Sequence, residues 1–503
     1  MPSNTTRIAK NTLMLYFRQI LIMLVNLYTV RVVLAVLGAE DYGIYNVTAG
    51  VVAMFSFLSG SMAAASQRYF SFEIGKNNSK GLEKIFSLTM TIYVLISVVF
   101  LIVSETAGAW FIKNKLVMPL DRLNAAFWVY QCSVFSFILT MITTPYKAAI
   151  IAHENMNVYA TVSIAEGVLK LLTAYMIQLF FFDKLKLYGI LILAVTFITT
   201  GIYRIVSVKK YAECKFRYCW DFSLFREMTG YIGWNLFGSL ADVMKYQGVN
   251  VLLNLFFGPL VNAARGLSRQ VDATIRNFAL NFSTAAKPQI IKYYAAEDRS
   301  KMLLLVFRAS KGAAFLLFFF ILPIGLELPF LLGIWLKATP EYVIAFTRIL
   351  LANTLIDSIS FPLNSVSQAT GKIKWYQAVS GGIILLNLPV TFAALKAGCS
   401  PVSVQGIGIG LSVFALAVRI VILSRQLNFS AWLYVKAVVF PVILVAGLSS
   451  IIPACFVFFC SPGIIRLLMT VVISLLSVTG IIFLLGITRA EREWVTGKIK
   501  KRV

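Results

Sequence analysis

Charge is scarce in this chain: only 13% of its 503 residues are charged, where a soluble domain carries about 25%. Acidic residues are scarcer still, 21 Asp and Glu against 46 Lys and Arg, and His153 is the only histidine. With 59% of residues hydrophobic and a mean hydropathy of +0.81, a water-soluble fold is excluded. There is not enough polar surface to cover so much apolar side chain, so lipid must solvate it. One histidine and six scattered cysteines form no metal-ligand cluster, and neither a phosphate-binding Gly-rich loop nor a nucleophile elbow is present. No enzyme activity, cofactor or metal is therefore expected. His153 stands beside Glu154 in a short loop and reads as solvated.

Other things are missing too. Cys132, Cys214, Cys219, Cys399, Cys455 and Cys460 imply no disulfide framework. Five of them sit in or beside apolar segments and read as small buried hydrophobes. Cys214 and Cys219 share a basic loop without zinc-like spacing. The polar, basic Met1–Lys10 segment leads into an apolar run with no small-residue cleavage site, so the first helix is expected to stay in the mature protein. Long extramembrane loops are lacking, which argues against membrane glycosyltransferases and polysaccharide polymerases or ligases. The net charge of +25 would suggest nucleic acid in a soluble protein, but no such module is visible. Membrane proteins gather Lys and Arg in cytoplasmic loops facing anionic lipid, and that reading is preferred here.

What is present is a series of apolar stretches near the ~20 residues that span a bilayer. They fall at 13–36, 44–66, 85–104, 123–144, 158–180 and 187–206, then at 231–256, 260–284, 312–335, 343–366, 376–397, 402–424, 433–456 and 464–486. The expectation is an all-α integral membrane protein of about fourteen transmembrane helices. The eighth stretch is too polar to be found by hydropathy and is included because the charge topology requires it. With the N-terminus inside, the inner connections collect Arg68, Lys76, Lys80 and Lys84, then Arg204, Lys209, Lys210, Lys215, Arg217 and Arg226. They also collect Lys287 to Lys311 and the tail from Arg489. Outer connections receive few bases, Lys113, Lys115, Arg122, Lys184, Lys186, Lys337 and Lys396. Both termini are therefore expected in the cytoplasm.

The halves of the chain repeat one another. Leu37-Gly38 and Phe257-Gly258-Pro259 each mark a tight turn between helices, Ser79-Lys80 with Phe86 matches Ser300-Lys301 with Phe307, and Pro145, Ala152 and Tyr159 match Pro362, Ala369 and Tyr376. The offset stays at roughly 217–221 residues. Six helices precede the second copy, so the copies are parallel repeats, an arrangement that places a cleft between halves. The expected division is a six-helix bundle at 1–208, a basic loop at 209–227, a second six-helix bundle at 228–425, two additional helices at 426–488 and a basic tail at 489–503.

Twelve duplicated helices plus two, the Gly38-Ala-Glu-Asp-Tyr-Gly-Ile-Tyr45 turn and Leu331-Leu-Gly-Ile-Trp-Leu336 resemble Wzx-type polysaccharide flippases. These belong to the multidrug/oligosaccharidyl-lipid/polysaccharide exporter superfamily. The resemblance implies two bundles that alternately open a central cavity. It also implies outward movement of undecaprenyl-pyrophosphate-linked oligosaccharide across a bacterial inner membrane, in O-antigen, lipopolysaccharide or capsule biosynthesis. A lipid II flippase and a multidrug extruder of the same fold are the alternatives. An extruder of cations should carry a carboxylate in the first helix, yet there is no Asp or Glu between Thr12 and Val36.

The site residues follow from charges placed where charge is expensive. Arg18 and Arg31 lie in the first helix, Asp242 and Lys245 in the seventh, and Arg265, Arg269, Asp272 and Arg276 in the eighth, spaced four, three and four on one face. At roughly 2.5–3.5 kcal/mol per central charge, four facing lipid would cost on the order of 10 kcal/mol. They must line protein or water. Arg18, Arg31, Lys245, Arg265, Arg269 and Arg276 are the expected contacts of an anionic pyrophosphate, to which Arg offers a bidentate fork. Asp242, Asp272 and Asp357 are candidates for a coupling proton or Na⁺. Pairing of the arginines with Asp272 is the structural alternative, and Glu166 with Lys170 reads as an internal ion pair.

Overall fold

The computed structural model describes residues 4–114, 120–179, 183–335, 341–488 and 491–493. Lys115, Leu336, Lys337 and most of the 489–503 tail lie outside the described residues. Among those described the chain is helical, with no β-strand. In order, the helices are α1 Ile8–Gly38, α2 Asp41–Ala53 with Ser56–Gly75 (bent by 43° at the break), α3 Ser79–Ile112, α4 Leu123–Ala152, α5 Met156–Leu179 and α6 Lys184–Lys210. Next comes α7, Phe222–Val243, which continues through a π-helical turn at Met244–Gly248 into α8, Val249–Ala295. Then follow α9 Arg299–Leu326, α10 Leu328–Trp335, α11 Val343–Thr370, α12 Lys374–Lys396, α13 Pro401–Leu427, α14 Ala431–Phe459 and α15 Ile464–Gly486.

Eleven of these are long and apolar enough to cross a membrane, and bent α2 makes a twelfth. The remaining two spans are the arms of a hairpin. In a straight helix Asn250 and Arg265 would stand about 22 Å apart, yet Arg265 Nη1 donates to Asn250 Oδ1 at 3.0 Å. The chain therefore reverses between them, where the Phe257-Gly258-Pro259 turn is expected. Both arms counted, the described residues accommodate the fourteen expected spans. Their outer surfaces show what solvates them: α15 has a mean hydropathy of 2.6 and is only 17% buried, with Ile465, Leu468 and Leu476 exposed. In water that surface would drive association; in a bilayer it is matched. The chain is a multi-pass membrane protein.

The internal repeat is visible in the backbone. Gly38 has φ +79°, and the second reversal lies between Asn250 and Arg265, an interval that includes the position one repeat later. Asn77 and Glu297 both adopt left-handed φ, followed by Asn78 and Asp298, whose side chains cap the next helix by accepting from the amides of Gly81 and Lys301. Glu154 and Gly371 form a further left-handed pair at helix ends. Pro145 in α4 and Pro362 in α11 each lie inside a helix.

Packing divides the chain into two compact units, Met1–Ser239 with Ile291–Glu297, and Leu240–Ile290 with Asp298–Val503. In the first, Val33 and Leu37 pack on Ala174, Ile177 and Tyr188, while Phe100, Ile112, Tyr130 and Val134 form a second cluster. The second has a core of Ile275, Ala279, Leu317, Leu351 and Val478. That cluster joins α8, α9 and α11 to α15, so the last two helices share this unit's core. The Tyr434 hydroxyl of α14 adds a 2.8 Å bond to Ser310 Oγ on α9.

Candidate functional site

The hairpin places its charges by facing one arm with the other. The π-helical turn inserts Lys245 and Tyr246 into the first arm at a local widening of the helix, a device common at functional sites. Tyr246 then becomes the platform for the second arm. The Arg269 guanidinium lies 3.6 Å from its ring centroid, and Arg276 donates to its hydroxyl. Cation–π attraction of this kind is strongest when desolvated. Arg265 is buried, 3% exposed, and reaches Asn250 as described.

The carboxylates interleave with these bases. Asp272, on the same face of α8, is buried and accepts from Thr354 Oγ1 of α11, with Arg269 Nη1 at 3.7 Å. Asp357 of α11 lies 3.9 Å from Lys245 Nζ and 4.0 Å from Arg276 Nη1, and accepts from Asn353 Nδ2 at 3.1 Å. Lys245 also donates to Ser412 Oγ of α13 at 3.2 Å. The structural alternative is thus realised in part: Arg269 and Arg276 each have a carboxylate neighbour. It does not absorb the charge. Five bases, Lys245, Arg265, Arg269, Arg276 and, beside Asp357, Arg419, meet three acids, Asp272, Asp357 and, acting on Arg276, Asp242. That leaves two positive charges in excess, and Arg265 has no carboxylate within 4 Å among the described residues. Its Nε is buried without a hydrogen-bond partner. Such a guanidinium is expensive unless something anionic compensates it.

Beside Arg265 lies a cavity of about 20 Å³ lined by Lys245, Tyr246, Asn353, Asn387 and Gln405. That is room for one water, far short of a pyrophosphate. Among the described residues no group of three His, Cys, Asp or Glu side chains could hold a metal ion. Asp242 is exposed on α7.

Arg18 and Arg31 belong to the first unit. Arg18 lies 4.9 Å from the Tyr159 ring centroid on α5, and Arg31 is exposed. The Glu166–Lys170 pair is present at 2.7 Å. Lys147 of α4, passed over in the sequence, stands 4.8 Å from the Tyr203 ring. His153 differs from expectation: it stacks on Tyr211 at 4.2 Å and shares a 2.5 Å hydrogen bond with Glu213. Cys399 and Cys455 are exposed rather than buried.

No family model matches the sequence, and no curated protein matches it either. Solved structures do. A MATE transporter in its bent conformation superposes with a TM-score of 0.75 at 10% identity, over 85% of this chain and 96% of that one. The MATE transporter ClbM in complex with Rb⁺ gives 0.70 at 14%, over 86% and 97%. A MOP superfamily transporter from Pyrococcus furiosus, described as having a binding pocket of reverse polarity that suggests a different function, gives 0.70 at 11%, over 86% and 100%. The chain has a MATE-like fold.

Within that fold, sequence reasoning missed the supports of the site rather than its charges. Thr354, Asn353 and Ser412 are uncharged and carry no signal of their own. The helical register linking Asn353 to Asp357 was legible, but its relevance depends on α11 lying beside α8.

Proposed function

We propose that this chain is an exporter that moves an undecaprenyl-pyrophosphate-linked oligosaccharide across the bacterial inner membrane by alternating access, in O-antigen or capsule biosynthesis. The observation that carries this reading is the cationic excess buried in the α7–α8 hairpin. A pyrophosphate headgroup supplies the negative charge that the cluster as a whole, and Arg265 above all, lacks, and the planar forks of Arg265, Arg269 and Arg276 suit its oxygens. Lys245 adds a point charge, with Arg18 and Arg31 as further candidates in the first unit. Reading function from pocket polarity has a parallel in the same fold, in the Pyrococcus furiosus protein. A cationic drug would find no such excess welcoming, so the multidrug reading fits the fold but not this cluster. A lipid II flippase would use the same residues.

The water-sized cavity implies that the site opens before a headgroup enters. Lys245 and Arg276 share Asp357, so protonation of Asp357, or Na⁺ binding at Asp357 or Asp272, would loosen the bridge between the hairpin and α11. Binding must remain moderate, because a site that holds the headgroup too tightly cannot release it.

Arg269→Ala is expected to cripple surface-polysaccharide display at near-normal membrane levels of the protein. Arg269→Lys should retain part of the activity, keeping the charge but losing the fork. Display is measured per amount of inserted protein. Full display by the combined Arg265→Ala, Arg269→Ala and Arg276→Ala variant would return these arginines to a structural role.

A further inference from the structure

The first unit carries a second basic feature that the transport reading does not use. After α6 ends at Lys210, the chain runs through Tyr211, in extended conformation, and a short turn at Ala212–Cys214 before Lys215 returns it to extended backbone. Buried Tyr211 and Cys214 anchor the start of this 211–221 segment. His153 stacks on Tyr211 and bonds Glu213, and Asn155 Nδ2 donates to the Tyr211 hydroxyl at 3.2 Å. Its far end is held on α3, where the Arg217 amide donates to Ser87 Oγ at 3.2 Å and Lys84 Nζ pairs with Asp221 at 2.5 Å.

Between the strap and the last turns of α6 lies a groove of about 700 Å³. Its walls are apolar, from Tyr146, Ile205 and Phe216, and its cations are Arg204, Lys209 and Lys215. All three cations are exposed, and none has a carboxylate within 4 Å among the described residues. The acids that could have neutralised them are already committed, Glu213 to His153 and Asp221 to Lys84. Further along the strap, Tyr218 is 75% exposed and Trp220 46%. Exposed Tyr and Trp interleaved with Lys and Arg at the end of a transmembrane helix mark the headgroup level of a bilayer.

We propose that this groove binds an anionic phospholipid of the surrounding bilayer, its phosphate among Arg204, Lys209 and Lys215 and an acyl chain along Ile205 and Phe216. Free phosphate would use the cations but leave the apolar walls uncovered. A zwitterionic lipid would cover the walls but bring no net charge to three unpaired bases. The aromatic strap fixes the depth of the site, so the lipid is held at the edge of the helix bundle.

The purified full-length chain in mild detergent is titrated with phosphatidylglycerol and with phosphatidylcholine of the same acyl chains, and adducts are counted by native mass spectrometry. Phosphatidylglycerol should bind at least about tenfold more tightly. The combined Arg204→Gln, Lys209→Gln and Lys215→Gln variant should lose roughly a hundredfold of that affinity, at about a few-fold to tenfold per base. Combined Lys76→Gln, Lys80→Gln and Arg226→Gln should lose little, because those bases lie outside the groove. A readout that needs no variant is salt: raising ionic strength toward 1 M, where the screening length is about 3 Å, should weaken phosphatidylglycerol and not phosphatidylcholine. Equal binding of the two lipids, equal loss in the two triple variants, indifference to salt, or displacement of the lipid by millimolar inorganic phosphate would each overturn the proposal.

Discussion

Glu327 would be among the costliest side chains in the molecule if it stood alone. It is fully buried between Pro323 and Pro329, at the junction of α9 and α10. Arg466 of α15 closes a bidentate pair with it, Nε at 2.9 Å and Nη2 at 2.7 Å, and Thr470 Oγ1 donates to the same carboxylate at 2.8 Å. Arg466→Leu should therefore cost about 3–5 kcal/mol, by leaving a buried carboxylate uncompensated, while Glu327→Leu with Arg466→Leu should recover most of that loss. Thermal unfolding followed by size-exclusion chromatography in detergent checks both, and an equal loss from the double variant would mean that packing, not charge, sets the cost. Along the sequence Glu327 is visible as a charge between two prolines, but its partner Arg466 is not. A single arginine near the end of an apolar run reads as an interfacial anchor, and nothing along the chain links it to a residue 139 positions away. The carboxyl of Glu213 can be checked by pH. Burial opposes its charge, but the His153 hydrogen bond and a backbone amide outweigh burial and hold it below the usual carboxylate range. A depressed carboxylate contributes stability that is present above its unfolded pKa, near 4.5, and lost as pH falls through the folded value. Proteolysis of the 211–221 strap should therefore accelerate as pH falls below about 4.5, and Glu213→Gln should remove that dependence.

At the scale of helices, two glycines show how differently the same residue can be required. Gly38 has φ +79° and ψ 168°, a region that is essentially glycine-only, although a Cβ there would meet no atom within 4 Å. Gly75 has ordinary helical backbone at the end of α2, but a Cβ would lie 2.8 Å from the Lys292 carbonyl oxygen and 2.8 Å from Ala295 Cβ. Gly38→Ala should cost about 1–3 kcal/mol through backbone strain, and Gly75→Ala a similar amount through overpacking against backbone that cannot rotate away. Because the causes differ, Gly38→Asn should be milder than Gly38→Val, whereas at Gly75 the loss should grow with side-chain volume. Thermal stability in detergent distinguishes the two orders. Gly38 was legible in the sequence as a turn; Gly75 was not, because close approach leaves no local pattern. The helices themselves divide in the same way. Hydropathy finds eleven and the bent α2, but fails on the hairpin arms, whose charges lower their hydropathy. In the sequence the first arm reads as the apolar stretch 231–256 and the second, at 260–284, is required by charge topology; the Arg265–Asn250 bond shows the reversal between them.

For the molecule as a whole, the alternation of connections yields a test that uses cysteines already present. Connections after even-numbered spans include the one between α6 and α7, where Cys219 is half-buried among Lys209, Lys210, Lys215 and Arg217. Those after odd-numbered spans include the one between α12 and α13, where Cys399 is exposed and Lys396 is the only nearby base. If basic connections are cytoplasmic, Cys399 should react with a membrane-impermeant maleimide in intact cells. Cys219 should react only after the membrane is opened. The measurement needs Cys132, Cys214, Cys455 and Cys460 replaced by Ala or Ser, since Cys460 lies in another odd-numbered connection and would add to the outer signal. Cys132 and Cys214 are buried and should tolerate Ala at modest cost. Labelling of Cys219 from outside, with Cys399 protected, would invert the topology. It would place the Arg204–Lys215 groove in the outer leaflet and reverse the orientation that the proposed function assigns to the hairpin. Labelling of both from outside would break the alternation itself, and with it the parallel repeat. Labelling of Cys399 alone would put the basic strap, the connections after even-numbered spans and both termini on one side, the arrangement that the proposed outward transport of a lipid-linked sugar requires.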